Sequence, residues 1–236
     1  MDIERYRRQI AIPGFGIEAQ KKLSRARVVI LGLGGLGSAV SIYLTVAGVG
    51  HLKVVDRDKI EKNNLNRQIL YTEEDLGKWK AEVAEKRLKE MNSDIEVEGL
   101  REEINEDNIR ELIRDADAVV DCLDNFETRF LVNRAVVELN KPFFHGACRA
   151  FYGQVMTIIP RVTPCLRCIF PESIPKDRSI IGVTAGLVGL IEATEVIKYL
   201  TGTGECLYGK ILIYDATRMS FDIIEVDRNP DCEVCG

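Results

Sequence analysis

From Arg27 onward the chain alternates short apolar, β-branched runs with longer stretches whose apolar residues recur every three to four positions. That alternation predicts a mostly parallel sheet flanked by helices. The first run, RVVILGL, is apolar throughout and ends on glycine, so it reads as a strand buried on both faces. It leads through Gly34 and Gly35 into a helix ending near Ala47, and LKVVD, from Leu52 to Asp56, reads as the next strand. A helix from about Lys78 to Met91, the strand IEVEGL, a helix from about Asp107 to Arg114 and the strand DAVVD, ending at Asp121, follow. Asn125 to Asn140 reads as a helix, with Phe126, Phe130, Asn133 and Val137 about one turn apart. Beyond Lys141 the character changes. FFHGA, GQVMTII, GKILIYD and FDIIEV are strand-like, and Gly182 to Leu200 is the long helix among them, which predicts a mixed extension of the same sheet. No repeat or low-complexity tract interrupts the pattern.

Composition narrows the classes. A chain of 236 residues, 46% hydrophobic and 29% charged, can bury a real core, which excludes disorder and a disulfide-stapled miniprotein. Its formal charge of −5, with no long basic run, excludes nucleic acid as the expected partner. The segment from Val28 to Gly50 carries no charge, but Gly32, Gly34, Gly35, Gly37 and Gly48 break it and Ser38, Ser41 and Thr45 wet it. Strand, turn and helix suit it better than a membrane span. The opening MDIERYRRQI has no apolar core of the signal-peptide kind, so the expected setting is soluble and cytoplasmic. Only His51 and His145 offer imidazole, a poor basis for histidine-centred catalysis.

Gly32-Leu-Gly34-Gly35-Leu-Gly37 follows a strand, opens a helix and is answered by Asp56, about 20 residues on at the end of the next strand. This is a nucleotide-binding arrangement of the Rossmann-like kind: glycines let backbone approach phosphate, helix N–H groups face the anion, and the acid receives ribose hydroxyls. Tight helix packing is the plain alternative. Asp58 and the polar run Asn63-Asn64-Leu-Asn66-Arg67-Gln68 sit at the same carboxyl edge, where three Asn and one Arg could clamp a polyphosphate. Gly77-Lys78-Trp79-Lys80 starts the following helix and brings a lysine toward phosphate oxygens; a solvated loop and surface lysine are the alternative. Asp121-Cys-Leu-Asp124-Asn125 ends another buried strand, with Arg129 one turn into the next helix. A carboxylate there could hold magnesium beside a triphosphate, or Asp124 and Asn125 could cap the helix.

Of seven cysteines, four form two C-x-x-C pairs, Cys165/Cys168 and Cys232/Cys235, widely separated along the chain. In a reducing compartment two such knuckles make a closed, tetrahedral, structural zinc site that pins the tail to the body. A redox dithiol is the rival, but neither pair opens a helix after the first strand. Cys122, Cys148 and Cys206 read as packed small hydrophobes.

Together these motifs resemble the ThiF/MoeB/HesA family, relatives of the ubiquitin-activating enzymes. The resemblance covers nearly the whole chain: RYRRQI, GLGGLG, Asp56-x-Asp58, NNLNRQ, GKWK, DCLDN with Arg129, both C-x-x-C pairs, and EATEVIKYLTG. It implies a single α/β adenylation domain over residues 1–236, with a nucleotide-binding half over about 25–140 and a carrier- and zinc-binding half over about 141–236. It also implies ATP- and magnesium-dependent adenylation of a carboxylate, usually the C-terminal Gly-Gly of a small ubiquitin-like sulfur carrier, with release of pyrophosphate. Arg67 and Lys80 match the family's phosphate-binding arginine and lysine, Asp124 its magnesium aspartate and Asp56 its ribose acid. Arg8 matches an arginine that reaches across a homodimer to the partner's ATP. One departure stands out: Ile169 to Ile181, where sulfur- and thioester-handling members usually carry a cysteine, reads IFPESIPKDRSII. A separate sulfur donor would then accept the activated carrier. A nicotinamide-dependent oxidoreductase would use the same glycines and Asp56 but gives Arg67, Lys80 and Asp124 nothing to do. A non-catalytic module holding a ubiquitin-like partner would not need every phosphate-handling position filled.

Overall fold

The computed structural model describes residues 1–170 and 179–236. Five parallel strands form the first part of an eight-stranded sheet: β1 (Arg27–Leu31), β2 (His51–Val55), β3 (Glu96–Leu100), β4 (Ala118–Asp121) and β5 (Phe143–Arg149). β6 (Tyr152–Ile158), β7 (Lys210–Asp215) and β8 (Ser220–Glu225) extend it antiparallel, giving the order β3-β2-β1-β4-β5-β6-β7-β8. The α/β class and the mixed extension expected from the sequence are both present.

Alternation along β1 explains the layers. Val28 and Ile30 join one apolar cluster with residues of α2 (Gly16–Leu23), α3 (Gly35–Ala47), α4 (Lys80–Met91) and α8 (Gly182–Thr201). Val29 and Leu31 join a second with α5 (Ile109–Ile113), α6 (Phe126–Glu138), the short α7 (Leu166–Ile169) and the cysteines of the tail. Successive strand side chains point to opposite faces, so an all-apolar strand is buried twice. In register, Leu31 lies beside Val55 on one side and Asp121 on the other, and Asp121 lies beside His145. The carboxyl ends of β1, β2 and β4 therefore meet at one edge, with β5 running on beside them, and ligands bind at this edge in open sheets of this type.

Two differences from the sequence reading concern helices. The helix expected from about Lys78 begins at Lys80, because Gly77 turns left-handed at φ +80°, its N–H donates to the Ile60 carbonyl, and the Lys78 carbonyl accepts from the Ile60 N–H. The segment ahead of β1 carries α1 (Ile3–Ile10) and α2, which the pattern did not announce. Tyr6 is the buried residue of α1; it packs against Gly48 at the end of α3, and its hydroxyl accepts from Asn92 at 2.7 Å.

Candidate active site

The glycine loop leaves β1 through Gly32 at φ +96°, where a Cβ would stand 2.6 Å from the Cys122 carbonyl oxygen. Gly37 faces the Gly32 carbonyl so closely that a Cβ would sit 2.0 Å from it. Side chains are excluded at both places, and the first turn of α3 has no acidic residue in it. Its leading N–H groups have no intrahelical acceptors, as at any helix start.

The peptide of Leu33 is fixed at both ends. Its N–H donates to Asp56 Oδ2 at 2.8 Å, and its carbonyl accepts from the Tyr71 hydroxyl at 3.1 Å. Asp56 Oδ1 accepts from the Asp58 N–H at 2.8 Å. Lys80 is buried, with Nζ 3.2 Å from Asp58 Oδ2 and 3.9 Å from Asp56 Oδ2. Burial pushes the Asp56 carboxyl up from its ordinary value, against the pull of Lys80 and of both N–H donors. The buried ammonium is thus balanced by two carboxylates.

Arg67 completes this side. Its guanidinium donates to the Asn63 carbonyl at 2.8 Å and to Asn66 Oδ1 at 2.9 Å. Its Cγ lies 3.5 Å from where a Cβ on Gly35 would be, so the side chain runs against the first residue of α3. Asn64 is committed to the loop: its Oδ1 accepts from the Glu61 N–H at 3.1 Å, closing a capping box, and its amide donates to Asn63. Gln68, unassigned from the sequence, is buried next to Gly34, and its Oε1 has no partner among the described residues.

Across the edge, Asn125 caps α6 by accepting from the Thr128 N–H at 2.9 Å. Asp124 is thereby released from capping and stands exposed. Behind it lies a buried polar cluster. Asp121 pairs with Arg129, Nε to Oδ2 3.1 Å, and receives His145 Nδ1–H at 2.6 Å; the His145 Nε2 accepts from Gln154. Burial pulls the imidazole pKa down, in keeping with the neutral tautomer these contacts require. His51 sits elsewhere, against Glu96.

Glu192 of α8 is fully buried over Gly146, where a Cβ would lie 2.2 Å from its carboxyl carbon, and neither oxygen has a partner among the described residues. Burial, then the Asp121 charge, push its pKa well above 4.5, so the group is carried neutral. A raised folded-state pKa contributes stability that is complete below the unfolded value and is lost as pH rises toward the folded one. Glu192→Gln should therefore match the wild type in urea unfolding near pH 4. Above that it should gain up to about 1.4 kcal/mol for each pH unit short of the folded-state pKa. An equal loss at every pH would mean instead that the carboxyl holds a bond the amide cannot replace.

The residual thiols are poor nucleophiles. Burial raises Cys122 well above the ordinary range and Cys148 to about 12. Cys206 lies beyond α8, beside the Glu195 carbonyl. Most of the loop in which a cysteine was noted as missing, residues 171–178, lies outside the described residues.

Arg8 is not brought to this edge. It is exposed on α1, which is anchored at the C-terminal end of α3 by Tyr6 and by Gln9, whose amide donates to the Ala47 carbonyl at 3.0 Å. The glycine loop lies at the other end of that helix, about 20 Å away at 1.5 Å per residue.

The four C-x-x-C sulfurs all lie within 4.8 Å of one another, with Cys165 to Cys232 at 3.7 Å and Cys168 to Cys235 at 3.4 Å. A tetrahedron with metal–sulfur bonds of about 2.3 Å has edges of about 3.8 Å, so this donor set fits zinc. The Leu166 N–H donates to Asn133 Oδ1 of α6, Arg228 donates to the Cys235 carbonyl within the tail, and Arg167 pairs with Glu233 across the two knuckles at 2.8 Å. No helix among the described residues is long and apolar enough to cross a membrane.

The sequence model of the ThiF family matches residues 6–234. A sulfur carrier protein adenylyltransferase of Thermus thermophilus is 44% identical, the match covering 100% of this chain and 91% of that one. A SAMP-activating enzyme E1 of Haloferax volcanii is 41% identical, covering 99% and 89%. Among solved structures, E. coli MccB with ATP superposes with a TM-score of 0.83 at 29% identity, over 93% of this chain and 69% of that one.

Proposed function

Because the chain belongs to the ThiF family, we propose that its glycine-loop edge binds ATP with magnesium and transfers AMP to a carboxylate. That carboxylate is the C-terminal glycine of a small ubiquitin-like sulfur carrier, and pyrophosphate leaves. The chain is an adenylyltransferase, 44% identical over its whole length to a relative so named. The observation that carries the finer reading is the convergence of Arg67 and Lys80 on one short stretch of backbone. Arg67 runs along Gly35, and Lys80 reaches the loop through Asp56, which also holds the Leu33 peptide.

In the reaction a carboxylate oxygen attacks the α-phosphorus while the bond from that phosphorus to the bridging oxygen breaks. Negative charge grows on the α-phosphate and on the departing pyrophosphate. Arg67, Lys80 and the first N–H groups of α3 stabilise it with donors already in place, so little reorganisation is needed during reaction. Asp56 and Asp58 take the ribose side, with Asn63, Asn66 and Asn125 flanking, and Asn64 shapes the loop that presents Arg67. Magnesium bound at Asp124 would neutralise phosphate oxygens; one exposed carboxylate alongside a triphosphate suits an ion that keeps most of its water. Zinc at Cys165, Cys168, Cys232 and Cys235 is structural, since all four positions are protein sulfurs. Arg8, held far from its own chain's loop, fits supply to a second copy in a homodimer.

Mass spectrometry of a carrier incubated with the protein, ATP and magnesium tests this reading. The expected product is carrier carrying one AMP, with no reductant-sensitive adduct, because Cys122 and Cys148 are held protonated. A thioester adduct lost in Cys148→Ala would contradict the expected handover to an outside sulfur donor. Carrier left unmodified would contradict the adenylation itself.

A further inference from the structure

We propose that Arg129, paired with Asp121, is a positioning residue that fixes Asp124 for the divalent cation; the inference rests on the reading of Asp124 as the cation's ligand. Leu123 is the residue just before Asp124, and both of its backbone polar groups end on this buried pair. Its N–H donates to Asp121 Oδ1 at 3.1 Å, and its carbonyl accepts from the Arg129 guanidinium. The same guanidinium nitrogen donates at 2.9 Å to the Gly146 carbonyl of β5. On the other side Asn125 is locked as the cap of α6. Asp124 is thus a single exposed residue between two fixed points, tied to β4, β5 and α6 at once.

The pair itself is sealed off: Asp121 is 0% exposed and the Arg129 side chain 6%. His145 occupies Asp121 Oδ2, and the ring of Phe126 lies 5.0 Å from the guanidinium. Neither charge is placed to touch a ligand. Two well-packed apolar groups usually serve a core at least as well as a buried ion pair, so stability alone does not account for it. The planar fork holds the carboxylate through one nitrogen and two carbonyls through another, a span that a point-like ammonium lacks. Partners that orient a ligand without touching the metal typically change metal affinity by about 10- to 100-fold when removed.

The test is a Mn²⁺ titration followed by electron paramagnetic resonance, with α,β-methylene ATP present, on Arg129→Lys and on the double variant Asp121→Leu/Arg129→Met. The double variant removes both charges together and so leaves no buried charge unpaired if the lysine variant fails to fold. The expected result is a Mn²⁺ dissociation constant raised at least about tenfold, with binding of the nucleotide in chelator unchanged. Folded variants with lower thermal midpoints and wild-type Mn²⁺ affinity would overturn the inference and leave the pair a structural one. Asp124→Asn separates the two levels: if it too binds Mn²⁺ as the wild type does, the reading of Asp124 as a ligand falls.

Discussion

Replacing Lys80 with methionine should lower ATP–pyrophosphate exchange by about 100- to 1,000-fold while leaving the protein folded. The stem of Lys80 is buried at the start of α4, and methionine keeps its bulk. What is lost is the ammonium, 3.2 Å from Asp58 and 3.9 Å from Asp56. The fold has relief from that loss, because Asp56 keeps both of its backbone N–H donors, from Leu33 and Asp58. Asp58 is mostly exposed and stays solvated. Transition-state charge has no such relief, since only a fixed cation in a dry site can meet it. Steady-state kinetics with intact circular dichroism checks this. Exchange within about threefold of wild type would remove Lys80 from the phosphate site.

Zinc removal should have the largest effect on stability. Cys165 and Cys168 belong to the body, at the start of α7, whereas Cys232 and Cys235 lie at the very end of the chain, and all four enter or border the second apolar cluster. Without metal, four thiols crowd one small volume, and Cys232→Ser or Cys235→Ser would open the tetrahedron. For a chain of this size a loss of about 5 kcal/mol corresponds to about 10–20 °C in Tm. Elemental analysis should find about one zinc per chain, and calorimetry should find the drop. Protein that holds no zinc and melts as the wild type would contradict a structural site.

The central strands were legible because a strand buried on both faces has to be apolar at every position, and RVVILGL and DAVVD are nearly that. The glycine loop was legible for a related reason: few residues other than glycine fit 2–3 Å from a carbonyl, and the spacing of Gly32 and Gly37 records both contacts. α1 was not, since a helix of IERYRRQI burying one residue shows no apolar face. What fixes it is Tyr6 against Gly48 and Asn92, both remote from it in sequence. The acidic edge divided in the same way. Asp56 could be read from its place at a strand end, but sequence spacing left capping open for both Asp124 and Asn125, and the geometry gives it to Asn125. His145 joins the Asp121 and Arg129 cluster only because β5 lies beside β4 in a register that sets His145 opposite Asp121. Glu192 was the least visible. Its sequence neighbours suggest an ordinary helix, and only the close approach of Gly146 shows a carboxyl sealed without a partner among the described residues.

Carrier adenylation is measured most directly as pyrophosphate exchange into ATP, with magnesium, in the presence of a ubiquitin-like carrier from the source cell ending in Gly-Gly. Exchange should depend on that carrier, disappear when its last glycine is removed or amidated, and be lost in Arg67→Ala as in the Lys80 variant. Exchange indifferent to the carrier's free carboxylate, or absent with every such carrier while ATP still binds, would contradict adenylation of a carrier at this edge.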